Sequence, residues 1–267
     1  MPTLPEEIVD EVQKRAEKLT QCPQVCSVAI SLGYTFVELD NDTMGVCFTP
    51  RSASASCAHY PKAGTLASMN LFDLMALMLS THPLEKSVGI AAVNAVSQTI
   101  MTLEPEKYPF EKNDFLDLLP FNDSRPRVGM VGNIGPFVSF LSKHADQLII
   151  VDDNPFLMAN TLGGNCISSR NLKDLAAVDL LIITGSSAAI GDFDEVLASA
   201  KAARFIGVVG PSAGWLPDPA FKRGVHAVAA TRIIDITGAR QVILEGGGTQ
   251  HFTKYGLKYT LTPKMPG

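Results

Sequence analysis

The stretch Arg125–Asp153, RPRVGMVGNIGPFVSFLSKHADQLIIVDD, constrains this chain more than any other. It opens with a short apolar run, Val128 to Val131, whose length and β-branched ends suit a strand buried on both faces. Gly129, Gly132 and Gly135 fall in and after that run, and Phe137, Phe140 and Leu141 then recur at helical spacing. A second apolar run, Leu148 to Val151, ends on Asp152 and Asp153. Strand, tight turn, helix, and a strand with an acid at its tip make half of a nucleotide-binding-type fold.

Chemistry follows from the turn. Glycine reaches the torsions of a strand-to-helix turn at little cost, and without a Cβ it lets a ligand touch the amides. The free N–H groups at the helix start favour an anion. The pattern departs from G-x-G-x-x-G, since Met130 stands two before Gly132 and Pro136 lies just inside the helix. Asp152 lies 20 residues past Gly132, where dinucleotide folds keep a ribose-binding acid. The plainer reading of Asp152 is a solvated strand-end carboxylate before Asn154-Pro155.

At 267 residues the chain holds one large domain or two medium ones. A net charge of -5 with no basic block excludes broad phosphate-backbone binding, so nucleic acid is not expected as a partner. No run of 18 apolar residues occurs and the N-terminus, PTLPEEIVDEV, is acidic, so neither a membrane span nor a signal peptide is expected. The five cysteines, odd in number and unevenly spaced, fit reduced thiols in a cytoplasm better than a disulfide framework.

Taken in order, Leu4 to Leu19 predicts a helix, with Pro5, Glu6 and Glu7 at its start and Ile8, Val12 and Ala16 on one stripe. The period then changes to that of three short strands: Val28 to Leu32, Phe36 to Leu39 and Met44 to Phe48. Gly33 breaks the first pair and Asp40-Asn41-Asp42 the second. Thr49 to Thr65 reads as a loop of functional length. It carries Cys57 and His59, two soft donors that do not by themselves make a metal site. Met69 to Ser80 and Leu84 to Met101 predict two helices, the second starting beside Pro83 and holding Asn94 inside an apolar run. A buried Asn there must be hydrogen-bonded, and either pins a loop or lines a cleft. The domain reading is 1–104 for a small α+β unit, 105–124 for a linker and 125–267 for a second domain.

The second domain adds apolar strands at Val178 to Ile183, Phe205 to Val209, Val225 to Ala229 and Gln241 to Leu244, with a helix at Asp192 to Ala203. This alternation implies a doubly wound, mostly parallel sheet. Ligands bind outside the carboxyl ends of such strands. Four tips there read as small, hydroxyl-bearing or glycine-rich turns: Gly132-Asn133, Thr184-Gly185-Ser186, Gly210-Pro211-Ser212 and Glu245-Gly246-Gly247-Gly248-Thr249. Together they suggest a pocket offering amides and hydroxyls.

The same residues carry a family resemblance. VGMVG (128–132), IITGSSAAIGDFDEVL (182–197), VVGPSAGWLPDPAFKRGV (208–225) and LEGGGTQHF (244–252) resemble the heavy-metal-chelation family of anaerobic bacteria and archaea, as does GIAAVNA (89–95) upstream. GPSAGWLP is the most specific of these motifs. The resemblance implies an enolase-N-terminal-like α+β domain followed by a Rossmann-like domain with a cleft between them. It also implies a cytoplasmic location and a role in handling metal or metal chelates. Ser186 to Ile190 and Asp192 depart from the family pattern.

Three functions follow from these readings. The first is binding of a metal ion, a metal chelate or a related small molecule in the interdomain cleft. Its lining would be Gly132, Asn133, Asp152, Thr184, Gly185, Ser186, Gly210, Pro211, Ser212, Glu245 and Gly246, with Asn94 and the 50–65 loop closing it. The absence of Cys-x-x-Cys and His-x-x-x-His argues for carboxylate and carbonyl oxygen ligands or a metal already chelated. The second is an enzyme using S-adenosylmethionine or NAD at the strand tips. The third is a structural or regulatory protein. No nucleophile with a neighbouring base can be nominated. Gly210 to Gly214 spells G-x-S-x-G, but Pro211 suits a rigid turn more than a nucleophile elbow. Self-association into a homo-oligomer stays open.

Overall fold

The computed structural model describes residues 1–50, 60–110, 114–121, 125–153, 164–191 and 193–264. Helix α1, Leu4–Ala16, starts on a capping box. Thr3 Oγ1 accepts from Glu6 N, and the Glu6 carboxylate accepts from Thr3 N at 2.6 Å, so two amides that a helix start leaves bare are satisfied. Strands β1 (Val25–Ile30), β2 (Tyr34–Leu39) and β3 (Thr43–Phe48) form an antiparallel sheet in that order. Asp42, with φ +56°, takes the left-handed position in the second turn. Helix α2, Leu71–Ala76, runs on as a 3-10 turn at Leu77–Leu79. Helix α3, Pro83–Leu103, is buried continuously from Ser87 to Met101. A helix apolar on all sides must be enclosed on all sides. Accordingly α3 lies between β2 and β3 and the 211–213 turn.

The large sheet has seven strands in the order β10-β9-β8-β7-β4-β5-β6. These are β4 (Arg127–Val131), β5 (Gln147–Val151), β6 (Cys166–Ser169), β7 (Leu180–Thr184), β8 (Phe205–Val209), β9 (Ala227–Ile233) and β10 (Gly256–Leu261). All neighbours pair in parallel except β10 with β9. Helix α4, Gly135–His144, links β4 to β5. The mixed α/β architecture, a small antiparallel sheet before a mostly parallel one, is the one the sequence implies.

Four elements differ from the sequence expectation. Gln241 to Leu244 is not a strand but the last turn of a helix, Ile236–Leu244. Its start is fixed by the Asp235 carboxylate, which accepts from Gly238 N at 3.0 Å, a local cap that outweighs the β-branched composition of the segment. The strand expected at Val225 to Ala229 is shifted to Ala227–Ile233. Strands β6 and β10 had no counterpart in the reading, because CISS is short and polar and GLKYTL carries a lysine. Each gains its strand identity from the neighbour it pairs with.

One interior serves both sheets. Leu4 and Val12 of α1 and Met78 and Val93 share a cluster with Ile149, Leu181, Ile183 and Trp215 of the large-sheet region. The other face of the large sheet is covered by Phe115, Val138 and Leu141 over Val128, Leu148 and Ile182. The outer face of the small sheet, with Tyr34, Phe36 and Val46, packs on Ile243 and Phe252. No described helix is long and apolar enough to cross a membrane.

Candidate functional site: a strand-end crevice and a buried seam

Chain order in the large sheet reverses between β4 and β7, the two strands that lead to opposite halves. Such a reversal opens a crevice beyond the strand ends, where doubly wound sheets take ligands. At the end of β4, Gly132 has φ +83°, and a Cβ there would lie 2.1 Å from Thr184 Cγ2. Both torsion and space therefore require glycine. The next amide, Asn133 N, donates to Asp152 Oδ2 at 2.9 Å, so the acid at the tip of β5 anchors the turn. Helix α4 starts at the same edge, and the side chain of its N-cap residue, Ile134, makes no capping hydrogen bond. Beside the Gly132 turn, Thr184 Oγ1 and Ser186 Oγ lie 3.0 Å apart, both half-buried. Gly185 N donates to Val209 O and Gly210 N to Ala229 O, each carrying the ladder one step beyond its strand. The structure thus gathers Gly132, Asn133, Asp152, Thr184 and Ser186 around one edge, with Gly185 and Gly210 beside them.

Pro211, Ser212 and Asn94 are placed elsewhere, in a closed seam between the two sheets. Ser212 Oγ accepts from Phe48 N at 2.9 Å, while Ser87 Oγ donates to Phe48 O at 2.8 Å. Both polar groups of the last β3 residue are thereby satisfied. Asn94 Nδ2 donates to Val46 O at 2.9 Å and Ser212 O at 3.1 Å. Gln98 Nε2 reaches Gly214 O and Tyr259 Oη, and Leu216 N donates to Ser97 Oγ. A Cβ on Gly214 would meet Gln98 Nε2 at 3.1 Å and Asn94 Cγ at 3.3 Å. Ser212, Asn94 and Trp215 are each only 1% exposed. Among the described residues, three seam atoms, Asn94 Oδ1, Gln98 Oε1 and Trp215 Nε1, have no hydrogen-bond partner. The seam residues join two layers and offer little surface to a ligand.

The G-x-S-x-G string is accordingly not an elbow. Ser212 Oγ is engaged by a backbone amide, and His226 Nδ1 accepts from Ile206 N at 3.1 Å, with its ring stacked on Phe205. The turn bearing Glu245 and Gly246 also needs correction as a strand tip. It ends the helix Ile236–Leu244, and Gly246, at φ +85°, faces Leu32 of the β1–β2 hairpin. Nearby, Tyr34 Oη and Thr249 Oγ1 are 2.7 Å apart.

Ser87, Ser97 and Gln98, which line the seam with Asn94, were missed. Their signal was present: with Asn94 they recur at 87, 94 and 97–98 inside an apolar helix, the spacing of one polar stripe.

Among the described residues, no three His, Cys, Asp or Glu side chains come together as metal ligands. Cys57 and His59 lie outside the described residues. Cys47 sits inside the seam, where burial pushes its thiol up to about 12 despite hydrogen bonds with Ser87 and Ser212. Such a thiol is a poor source of the thiolate that binds metal. The described donor set does not make an ion site.

Comparison with known proteins bears on this geometry. Two family models, both described as "Putative heavy-metal chelation", match residues 12–97 and 114–262. An uncharacterized protein of Methanocaldococcus jannaschii is 26% identical over 264 residues, covering 95% of this chain and 97% of the relative. A solved structure of a protein of unknown function from Pyrococcus horikoshii is 22% identical with a TM-score of 0.73, covering 96% of this chain and 100% of that one. Another, from Desulfitobacterium hafniense, is 19% identical with a TM-score of 0.73, covering 96% and 98%. These two structures share the fold.

Proposed function

The chain belongs to the family described as "Putative heavy-metal chelation", and on that premise we propose that it binds a small, oxygen-rich ligand in the crevice beyond β4 and β7. The ligand class is a metal chelate or a related metal-free molecule, recognised through the chelator's own polar atoms. The observation that carries this reading is the chain reversal at β4 and β7, flanked by the Gly132 turn and the Thr184–Ser186 hydroxyl pair. A preformed chelate needs hydrogen-bond donors and acceptors from the protein, and does not need a protein ligand set of its own. That fits the donor set described.

Binding would proceed by amides and hydroxyls alone. Thr184 and Ser186 share one hydrogen bond, which leaves a hydroxyl donor and further lone pairs for a guest. Asp152 holds the Asn133 amide in place and keeps the turn in one shape.

A second reading, a cofactor-dependent enzyme using NAD or S-adenosylmethionine, is favoured by one observation. Asp152 stands at the tip of the strand next to β4, where dinucleotide folds hold the ribose. Titration calorimetry with nickel citrate, citrate alone, aqueous Ni²⁺, NAD and S-adenosylmethionine separates the two. Saturable binding of the chelate or of free citrate, weakened about tenfold or more by Thr184→Val, is expected. Binding of aqueous Ni²⁺ alone would overturn the reading, and binding of either nucleotide alone would transfer it to the enzyme.

A further inference from the structure

The two sheets have four edges, and three of them are managed. The outer edge of β3 is taken by the seam: Phe48 bonds to Ser212 and Ser87, and Val46 O to Asn94. Strand β10 carries Lys258 in its middle, and β6 is only four residues long. Lysine and short length are both devices that stop an edge from pairing with another chain.

Strand β1 is different. Its sequence, VCSVAI, has six residues with no charge, proline or glycine. Ser31 N donates to Tyr34 O at 3.2 Å next to the hairpin turn, and bonded pairs alternate along an antiparallel ladder. Ala29–Phe36 and Ser27–Glu38 are then the bonded pairs. The N–H and C=O groups of Val28 and Ile30 consequently point away from β2, to the outer edge of the sheet. None of the backbone hydrogen bonds outside the ladders among the described residues involves them. The 3-10 turn Leu66–Ser68 lies beside β1, but its hydrogen bonds stay within residues 65–69. Beyond the strand, Leu32 is 72% exposed.

We propose that β1 pairs antiparallel with β1 of a second copy of this chain, joining the two small sheets into one of six strands. The twofold axis passes beside Ala29, which faces the partner's Ala29 in a non-bonded pair. Val28 then exchanges both backbone bonds with the partner's Ile30, and the converse pair does the same. In this register Leu32 comes opposite the partner's Cys26, so the exposed leucine meets a neutral side chain. A self-complementary, uncharged edge suits a second copy because the twofold axis presents the same groups from both sides. The only irregularity, the register shift between Val25 and Ser27, lies outside the four bonds counted on.

The test is oligomeric mass by light scattering across a dilution series from roughly 0.1 mM downward, with two variants. The unmodified chain should run as a dimer at the top of the series. Ala29→Lys places like charges across the axis and should weaken the dimer about tenfold or more. Ala29→Cys combined with Cys26→Ser should form a disulfide-linked dimer on mild oxidation, in excess of any formed by Cys26→Ser alone. A monomer throughout the series overturns the proposal. So does a dimer indifferent to Ala29→Lys, which would lie on another surface, or an Ala29→Cys protein that folds and dimerises without cross-linking. A circular-dichroism spectrum of each variant shows that it is folded.

Discussion

Replacing Ser212 by Ala tests whether the most specific motif of the chain is structural or ligand-binding. The hydroxyl accepts from Phe48 N in a position 1% exposed. Alanine leaves the neighbouring packing nearly intact but strands that amide. An unsatisfied buried donor costs about 1–3 kcal/mol. For a chain of this size a loss of 1 kcal/mol lowers Tm by roughly 2–4 °C, so the loss of about 1–3 kcal/mol corresponds to a fall of roughly 2–12 °C. Ser87 bonds to the carbonyl of the same residue, and the double variant Ser87→Ala, Ser212→Ala should depart from additivity by about 0.5 kcal/mol or more. Urea denaturation and thermal melting measure the stability, and calorimetry with the chelate probe measures binding in the same samples. Reduced stability with unchanged affinity is the expected pair. Unchanged stability with lost affinity would refute the seam and return Ser212 to the site.

Three further outcomes follow from particular contacts. Gly45→Ala would put a Cβ 2.0 Å from Ala91 O, where β3 meets the backbone of α3; destabilisation of about 3 kcal/mol or more is expected in urea, and an unaffected midpoint would contradict the close approach. The Asp218 carboxyl is opposed by burial, yet hydrogen bonds from Lys107 and Tyr108 and the charges of Lys107 and Arg15 hold it below its ordinary 3.8. A folded pKa below the unfolded one gives stability that is present above the unfolded pKa and lost as pH falls through the folded one. Asp218→Asn should therefore be less stable than the parent near neutral pH, with the gap narrowing below about pH 4; a gap independent of pH would rule this out. Finally, a thiol reagent at about pH 8 should modify exposed Cys26 in the folded chain and reach Cys47 only in denaturant, which peptide mapping can read directly.

Legibility in the sequence was uneven, and the reason is physical. The β4–α4–β5 unit could be read because its signals are local: a buried apolar run, a glycine turn and an acid at the next strand end all lie within Arg125–Asp153. The three small strands could be read for the same reason, as could the long buried helix after Pro83. Residues 241–244 were misread because their side chains favour a strand, whereas an aspartate six residues earlier sets the helix. Strands β6 and β10 were invisible, since four or six residues with mixed polarity become strands only beside a partner. In the candidate site, Gly132, Asn133, Asp152, Thr184 and Ser186 lie on one edge because parallel strands end together. Pro211 and Ser212 were assigned to that edge from the same rule, and Asn94 to closing the cleft from the other domain, but the chain turns inward after Gly210 and meets α3 at Asn94.

Alone, the sequence determined the class of fold, the alternation of strands and helices, and the glycine turn at the end of the first parallel strand. Each depends on contacts between residues close in the chain, so periodicity and torsional preference suffice. Only the tertiary structure decided which polar residues face one another. The Asn94 and Ser212 pair is separated by 118 positions, and its hydrogen bonds exist because α3 is enclosed between two sheets. The apolar run of α3 states that it is enclosed, but no local signal states which layers enclose it. It is the packing of one apolar helix, buried on every side, that turns the GPSAGWLP segment from an apparent ligand turn into the joint between the layers.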